Sequence, residues 1–174
     1  MSSLGAAALV WEGLVGESDL QGSFLALYDR EAPIVMRFLR MSIREPADVE
    51  DLCGDVFTRA WKAWPRFSGD DREQRAWVMR IARNLAIDAF RRRGRLSVFA
   101  LDDGATDGGD PATRLHVMDA LARLSTAHRH VLALRAAGLS HAEIAAVQGR
   151  SETAAKVAWH RAAQRLKAEL EAGE

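Results

Sequence analysis

GLSHAEIAAVQGRSETAAKVAWHR, residues 138–161, contains its own folding instructions. Ser140 and Glu143 stand at the spacing of a capping box, in which the hydroxyl accepts from the backbone amide three residues on and the carboxylate reaches back. Leu139 and Ile144 flank the box at the positions of a hydrophobic staple. A short helix therefore starts at Ser140 and runs to about Gln148. Gly149-Arg150 supplies a turn, and Ser151 is the N-cap of a second helix reaching about Leu170. Lys156, Arg161, Arg165 and Lys167 make that second helix basic. A short helix, a tight glycine turn and a long basic helix are the signature of a helix-turn-helix, whose second helix enters the major groove. On it, Glu152, Thr153, Lys156, Val157, His160 and Arg161 lie opposite Ala155, Trp159, Ala162 and Leu166. The first group would face the groove and the second would pack.

Working back toward the N-terminus, helices are expected from about Pro111 to Leu124 and from Ser125 to Ala137. Before them the stretch Leu96–Pro111 holds Asp102, Asp103, Gly104, Asp107, Gly108, Gly109 and Asp110, an acidic, glycine-rich composition poor in helix formers. It reads as a flexible linker over residues 96–111. The chain then divides into an N-terminal extension (1–20), a first domain (21–95) and a second (112–174).

The first domain is also helical. Phe24, Leu27, Tyr28, Ile34, Val35, Phe38 and Leu39 suggest two helices or one bent near Pro33. Pro46 opens a helix whose first turns carry Asp48, Glu50 and Asp51 near the positive end of its dipole, and Pro65 closes it. A third helix, roughly Arg75 to Arg93, places Trp77, Ile81, Leu85 and Ala89 on one side and Arg80, Arg83, Asn84, Asp88 and Arg91 around the other. No run of alternating β-branched residues suggests a strand, so the fold class is all-α. Trp61, Trp64 and Trp77 are expected in the core, with Trp77 able to serve a surface as well.

Net charge is zero, which argues against a protein that coats nucleic acid by bulk charge. The charge is nevertheless segregated. Residues 59–95 carry eleven Arg or Lys against four acids, and residues 29–55 carry seven acids against four bases. Cys53 is the only cysteine, so no intrachain disulfide can form and a reducing cytoplasm is the natural compartment. No Cys/His cluster has zinc spacing, and His128 and His130, two apart on a helix, face different ways. The apolar patch from Ala6 to Val15 is interrupted by Glu12 and falls well short of the roughly 20 residues of a membrane span. No nucleophile–base pair, phosphate-binding glycine loop or metal motif appears. These readings set aside an enzyme, a cofactor, a metal, a small-molecule substrate and membrane insertion.

Motifs in both halves, in order, resemble one family. Ala47–Trp61 (ADVEDLCGDVFTRAW) is similar to the polymerase-binding helix of bacterial sigma region 2. Arg75–Arg93 (RAWVMRIARNLAIDAFRRR) resembles the promoter-melting, −10-reading helix of that region. Leu124–Arg135, Gly138–Ala145 and Lys156–Ala162 resemble sigma region 4, which reads the −35 element. A linker in place of region 3 marks the extracytoplasmic-function group, and the resemblance covers about residues 20–170.

The resemblance implies a promoter-reading subunit of RNA polymerase. Asp48, Asp51, Asp55 and Arg59 would face the core polymerase, with Leu52 and Val56 as apolar contacts. The loop from Arg66 to Arg72, with Phe67 and Ser68, would form with Asn84 the pocket for an unpaired −10 base, a task suited to an aromatic ring and an amide. Trp77 and Asp88 would lie along the same −10 surface, and Arg80, Arg83, Arg91, Arg92 and Arg93 would hold phosphates. Ser151, Glu152, Thr153, Lys156, Val157, His160 and Arg161 would meet the −35 duplex. Val157 and Ala158 depart from a Ser-Arg pair common in the family, removing one hydrogen-bonding side chain and one cation. Core RNA polymerase, promoter DNA and an anti-sigma factor are the expected partners. Two other functions fit the residues less fully: a stand-alone helix-turn-helix regulator, and a sigma-like chain that binds polymerase without reading promoters.

Overall fold

A computed structural model describes residues 4–43, 46–93 and 110–173. Among these, every regular element is helical: α1 (Leu4–Ser42), α2 (Pro46–Ala63), a 3₁₀ turn (Trp64–Arg66), α3 (Asp71–Arg93), α4 (Pro111–Arg123), α5 (Thr126–Ala136), α6 (His141–Gln148) and α7 (Glu152–Glu171). The expected linker lies outside the described residues over 94–109, as do the side chains of residues 4–18, Arg92 and Arg93.

One alternative is decided and two expectations are corrected. Of two helices or one bent near Pro33, the chain forms one: residues 4–42 are a single helix that runs through Pro33, and the extension from residue 4 continues into it. α3 begins at Asp71 rather than near Arg75. Asp70 caps it: its Oδ1 accepts from the amides of Arg72 and Glu73, both at 2.9 Å, while Glu73 Oε2 accepts from the Asp70 amide at 2.9 Å. Those bonds satisfy amides that a helix start leaves open. Trp61, expected inside, is 45% exposed and lays one face against Phe24, with ring centroids 5.0 Å apart.

The first core is built where α1, α2 and α3 meet, from Leu27, Val35, Phe38, Leu39, Val56, Met79 and Leu85, all nearly or fully buried. Trp64 closes one end, its indole N–H shared between the Leu20 carbonyl and the Ser23 hydroxyl, each at 3.2 Å. The helix-turn-helix packs as its sequence prescribes. Ser140 and Glu143 form the full capping box, Leu139 and Ile144 are both buried, and Gly149 ends α6 in the left-handed region at φ 64°, a conformation that costs a residue with a Cβ. Ala155 and Ala162 turn α7 inward.

These two halves do not stand apart. α5 packs on α1 and α6 packs on α3, so the apolar core is continuous from Phe24 to Ala162. At the junction lies Glu31 of α1, 0% exposed. Arg30 Nε donates to its Oε1 at 2.8 Å and Arg75 Nε to its Oε2 at 2.9 Å. A carboxylate with no access to water is tolerable only with such partners.

Glu31→Ala is expected to lower unfolding free energy by about 2 kcal/mol, since it removes the acceptor shared by Arg30 and Arg75 and leaves Arg75 with Glu143 alone. Urea unfolding followed by circular dichroism measures this. A loss under about 1 kcal/mol would mean that water replaces the carboxylate.

Candidate functional site

The acidic helix α2 sorts its residues by period. Asp51, Asp55 and Arg59, four apart, are exposed and form one stripe, with Asp48 half-buried at its head. Leu52 and Val56, expected to touch a partner, are 6% and 0% exposed. They pack into the core and hold the helix there, which leaves the polar stripe on the outer surface. Cys53 is buried behind it, and burial pushes its thiol pKa up, away from the thiolate that reacts.

Between the 3₁₀ turn and α3, residues 67–70 make a short loop edged by aromatic rings. Phe67, Trp64 and Trp77 form a three-ring cluster, with centroids 5.7 Å apart for Phe67–Trp64, 4.6 Å for Phe67–Trp77 and 6.2 Å for Trp64–Trp77. The loop borders a cleft of about 540 Å³ lined by Phe67, Ser68, Arg72, Trp77 and Arg80 on one wall and by Ala142, Glu143 and Ala146 of α6 on the other. Of the expected −10 set, Phe67, Ser68, Trp77 and Arg80 are therefore gathered in one place. Asn84 is exposed further along α3 and does not line this cleft. Asp88 and Arg91 are also exposed on α3.

Two cations of α3 are engaged across the junction with α6. Arg80 donates to the Ala146 carbonyl of α6 at 2.9 Å. Arg75, held by Glu31, reaches Glu143 at 3.1 Å with its other nitrogen. Burial pushes the Glu143 carboxyl up, but hydrogen bonds from the Ser140 hydroxyl and amide, then from Arg75, outweigh it and hold the group below its ordinary range. Arg83 is half-buried with its Nε unpartnered; burial, then the nearby charge of Arg150, pulls its pKa down. Beside it His130 of α5, buried against Phe38, is lowered to about 4 by desolvation first and then by Arg83 and Arg129.

On α7 the sorting is clean. Ser151, Glu152, Thr153, Lys156, Val157, His160 and Arg161 are all exposed. Ala155 and Ala162 are buried, and Trp159 and Leu166 are half-buried. The Ser151 hydroxyl accepts from the Ala154 amide at 3.2 Å, so this end of the helix is fixed. Sequence reading missed Arg30, Glu31 and Gln74, whose partners lie 44 residues away. Only the unusual placement of Glu31 among apolar neighbours of α1 hinted at them.

An all-helical chain with a helix-turn-helix, a basic aromatic-edged helix and a separate acidic stripe has the makings of a DNA-reading transcription protein. The model of sigma-70 region 2 matches residues 27–96, and that of sigma-70 region 4 matches residues 114–166. The chain is 35% identical over 155 residues to the sigma factor CarQ of Myxococcus xanthus, covering 84% of this chain and 88% of CarQ. It is 33% identical over 156 residues to the extracytoplasmic-function sigma factor SigL of Mycobacterium tuberculosis, with the same coverage of 84% and 88%. The structure of CnrH in complex with the cytosolic domain of CnrY superimposes with a TM-score of 0.68 at 32% identity, over 88% of this chain and 91% of that one; CnrH is a sigma factor of Cupriavidus metallidurans. The chain belongs to the sigma-70 family of RNA polymerase sigma factors, in its extracytoplasmic-function group. It is an alternative sigma factor that directs promoter recognition.

His130 gives the packed arrangement a pH signature. Its folded pKa lies below the ordinary 6.5, so the exposed state takes up the proton first. Its burial leaves stability intact above about pH 6.5 and erodes it as pH falls toward 4. Wild type is expected to lose about 2–3 kcal/mol more than His130→Gln between pH 7 and pH 4, read from urea midpoints at each pH. Parallel pH profiles would show that His130 is solvated in the native state.

Proposed function

We propose a division of labour among the three surfaces. The stripe Asp51–Asp55–Arg59 docks on a basic surface of core polymerase, the loop 67–70 with Trp77 and α3 engages the melted −10 element, and the exposed face of α7 reads the −35 duplex. The observation that carries the proposal is the pairing, in one chain, of an exposed acidic stripe with an exposed helix-turn-helix face. One suits a basic protein surface, the other a duplex. Asp48 joins the stripe at its edge, and Arg80, Arg83, Asn84, Asp88, Arg91 and Arg92 form the −10 face of α3. The domains are assigned as 21–95 and 112–174, joined by residues 96–111. The protein works where polymerase and DNA are, in the cytoplasm.

On α7, Val157 is 43% exposed among polar neighbours. An apolar group on a groove-facing helix suits the C5-methyl of thymine, so the −35 element read by this chain should carry a thymine where Val157 approaches. An anti-sigma factor is a further partner, by analogy with CnrH, whose structure was solved with a second protein bound.

Arg80 is engaged by the Ala146 carbonyl and Arg83 is half-buried, so neither guanidinium is fully free for promoter phosphates while α6 lies on α3. Full promoter engagement is then favoured when α6 leaves α3, and polymerase binding supplies the competing contacts. A ligand that needs a minor state binds more weakly by the fraction of that state. Free protein is thus a poor promoter binder.

In-vitro transcription with purified core polymerase and a promoter library tests the whole reading: specific transcripts are expected only when the protein is added. Asn84→Ala should reduce promoter opening about tenfold, in the range of a lost base contact, with polymerase affinity unchanged. Asp51→Arg should weaken polymerase binding about tenfold by setting like charge on a basic surface. Equal transcription by the Asn84 variant would remove that residue from the −10 surface, and equal binding by the Asp51 variant would remove the stripe from the polymerase interface.

A further inference from the structure

The loop that edges the cleft is held from behind by a residue pair outside the surfaces described so far. Gln74, in the first turn of α3, donates from its amide nitrogen to the Gly69 carbonyl at 3.3 Å. Its amide oxygen accepts from Arg30 Nη2 at 2.6 Å. Arg30 is itself fixed by two carboxylates: Nε to buried Glu31 at 2.8 Å, and Nη1 to Asp71 at 3.1 Å. An amide can donate at one end only when its other end is turned the right way, and the short bond from Arg30 fixes that orientation.

The loop has little slack to absorb a change. A Cβ on Gly69 would come within 2.9 Å of Phe67 Cζ and of Glu73 Oε2, so the loop leaves no room for a side chain between the Gly69 backbone and the ring that stacks on Trp77. A shift of the Gly69 carbonyl is therefore transmitted to Phe67. From these contacts we infer that Arg30 and Gln74 are positioning residues for base selection: the relay Glu31–Arg30–Gln74–Gly69 sets the seat of Phe67 and Ser68, and through it which −10 base the loop accepts. The inference rests on the reading of this loop as a −10 contact surface.

A positioning role differs from general support in what it changes. Loss of support lowers transcription on every template equally. Loss of position changes the ratio between templates. The experiment uses holoenzyme formed from the full chain and core polymerase, on templates carrying each of the four bases at each −10 position. Gln74→Met keeps the length of the side chain and breaks both bonds. Gln74→Glu keeps an acceptor for Arg30 and replaces the donor to Gly69 with a carboxylate oxygen that repels its carbonyl.

Both variants are expected to retain polymerase affinity and thermal midpoint, and to lose about fivefold in discrimination at one −10 position, the worth of one hydrogen bond. Unchanged ratios at every position in both variants would overturn the proposal. A wild-type protein that supports no promoter-specific transcription would instead overturn the reading of the surface. The relay then stands or falls on hydrogen exchange in the free protein: the hydrogen-bonded amides of Phe67 and Asp70 should exchange about fivefold faster in Gln74→Met, and equal rates would refute it.

Discussion

Burying the carboxylate of Glu31 commits the rest of the molecule. A charge without water needs hydrogen-bonded counter-charge on each oxygen, and here one partner comes from the neighbouring position, Arg30, and the other from α3, Arg75. The second bond fixes the register of α3 on α1. Because Arg75 extends past Glu31 to Glu143, the same guanidinium reaches the first turn of α6. Glu143 is at once the closing member of the capping box that starts that helix and the anion that receives Arg75. Local helix initiation and long-range docking of the two halves thus share one side chain.

That sharing explains why the arrangement is closed with a formal net charge of zero. The α3 face is rich in guanidinium, and in isolation it would attract any polyanion. In the packed state Arg80 donates to a backbone carbonyl of α6, Arg75 is held by two carboxylates, and Arg83 is half-buried near His130 of α5. The cleft-lining part of α3 is thus packed against α6, while the outward face of α7 stays exposed.

What could be read in the sequence follows from how local each interaction is. The capping box at Ser140, the glycine at 149 and the N-cap at Ser151 act within four residues, and all three were legible. The outward face of α7 follows from helical period alone, and its exposed residues match. Asp70 with Glu73 has the same box spacing as Ser140 with Glu143, yet it sits beside a glycine and a run of acids that reads as loop, so the start of α3 was placed a turn too late. Leu52 and Val56 were given to a partner because a family motif names positions without saying which way they point; the burial of Val49, Phe57 and Ala60 on the same side of α2 settles their direction. Trp61 went the other way, since α2 buries more apolar residues than one face can hold and the last aromatic is left at the edge. Arg30, Glu31 and Gln74 could not be paired from the sequence, because the spacings of 44 and 68 residues in this network belong to no local pattern.

The geometry of the Glu31 network also separates two properties that might be expected to change together. Its two oxygens serve different neighbours: Oε1 binds Arg30 on the side of the loop, and Oε2 binds Arg75 on the side of α6. When α6 leaves α3, Arg75 gives up Glu143 but keeps Glu31, since that bond lies within the first three helices. Arg30 has no partner in α6 among its bonds to Glu31, Asp71 and Gln74. Opening therefore uncovers the cleft without removing any contact in the relay that seats Phe67 and Ser68. The contacts that seat the loop 67–70 all lie within the first three helices, so its ordering cost is met during folding whether or not α6 is packed on α3.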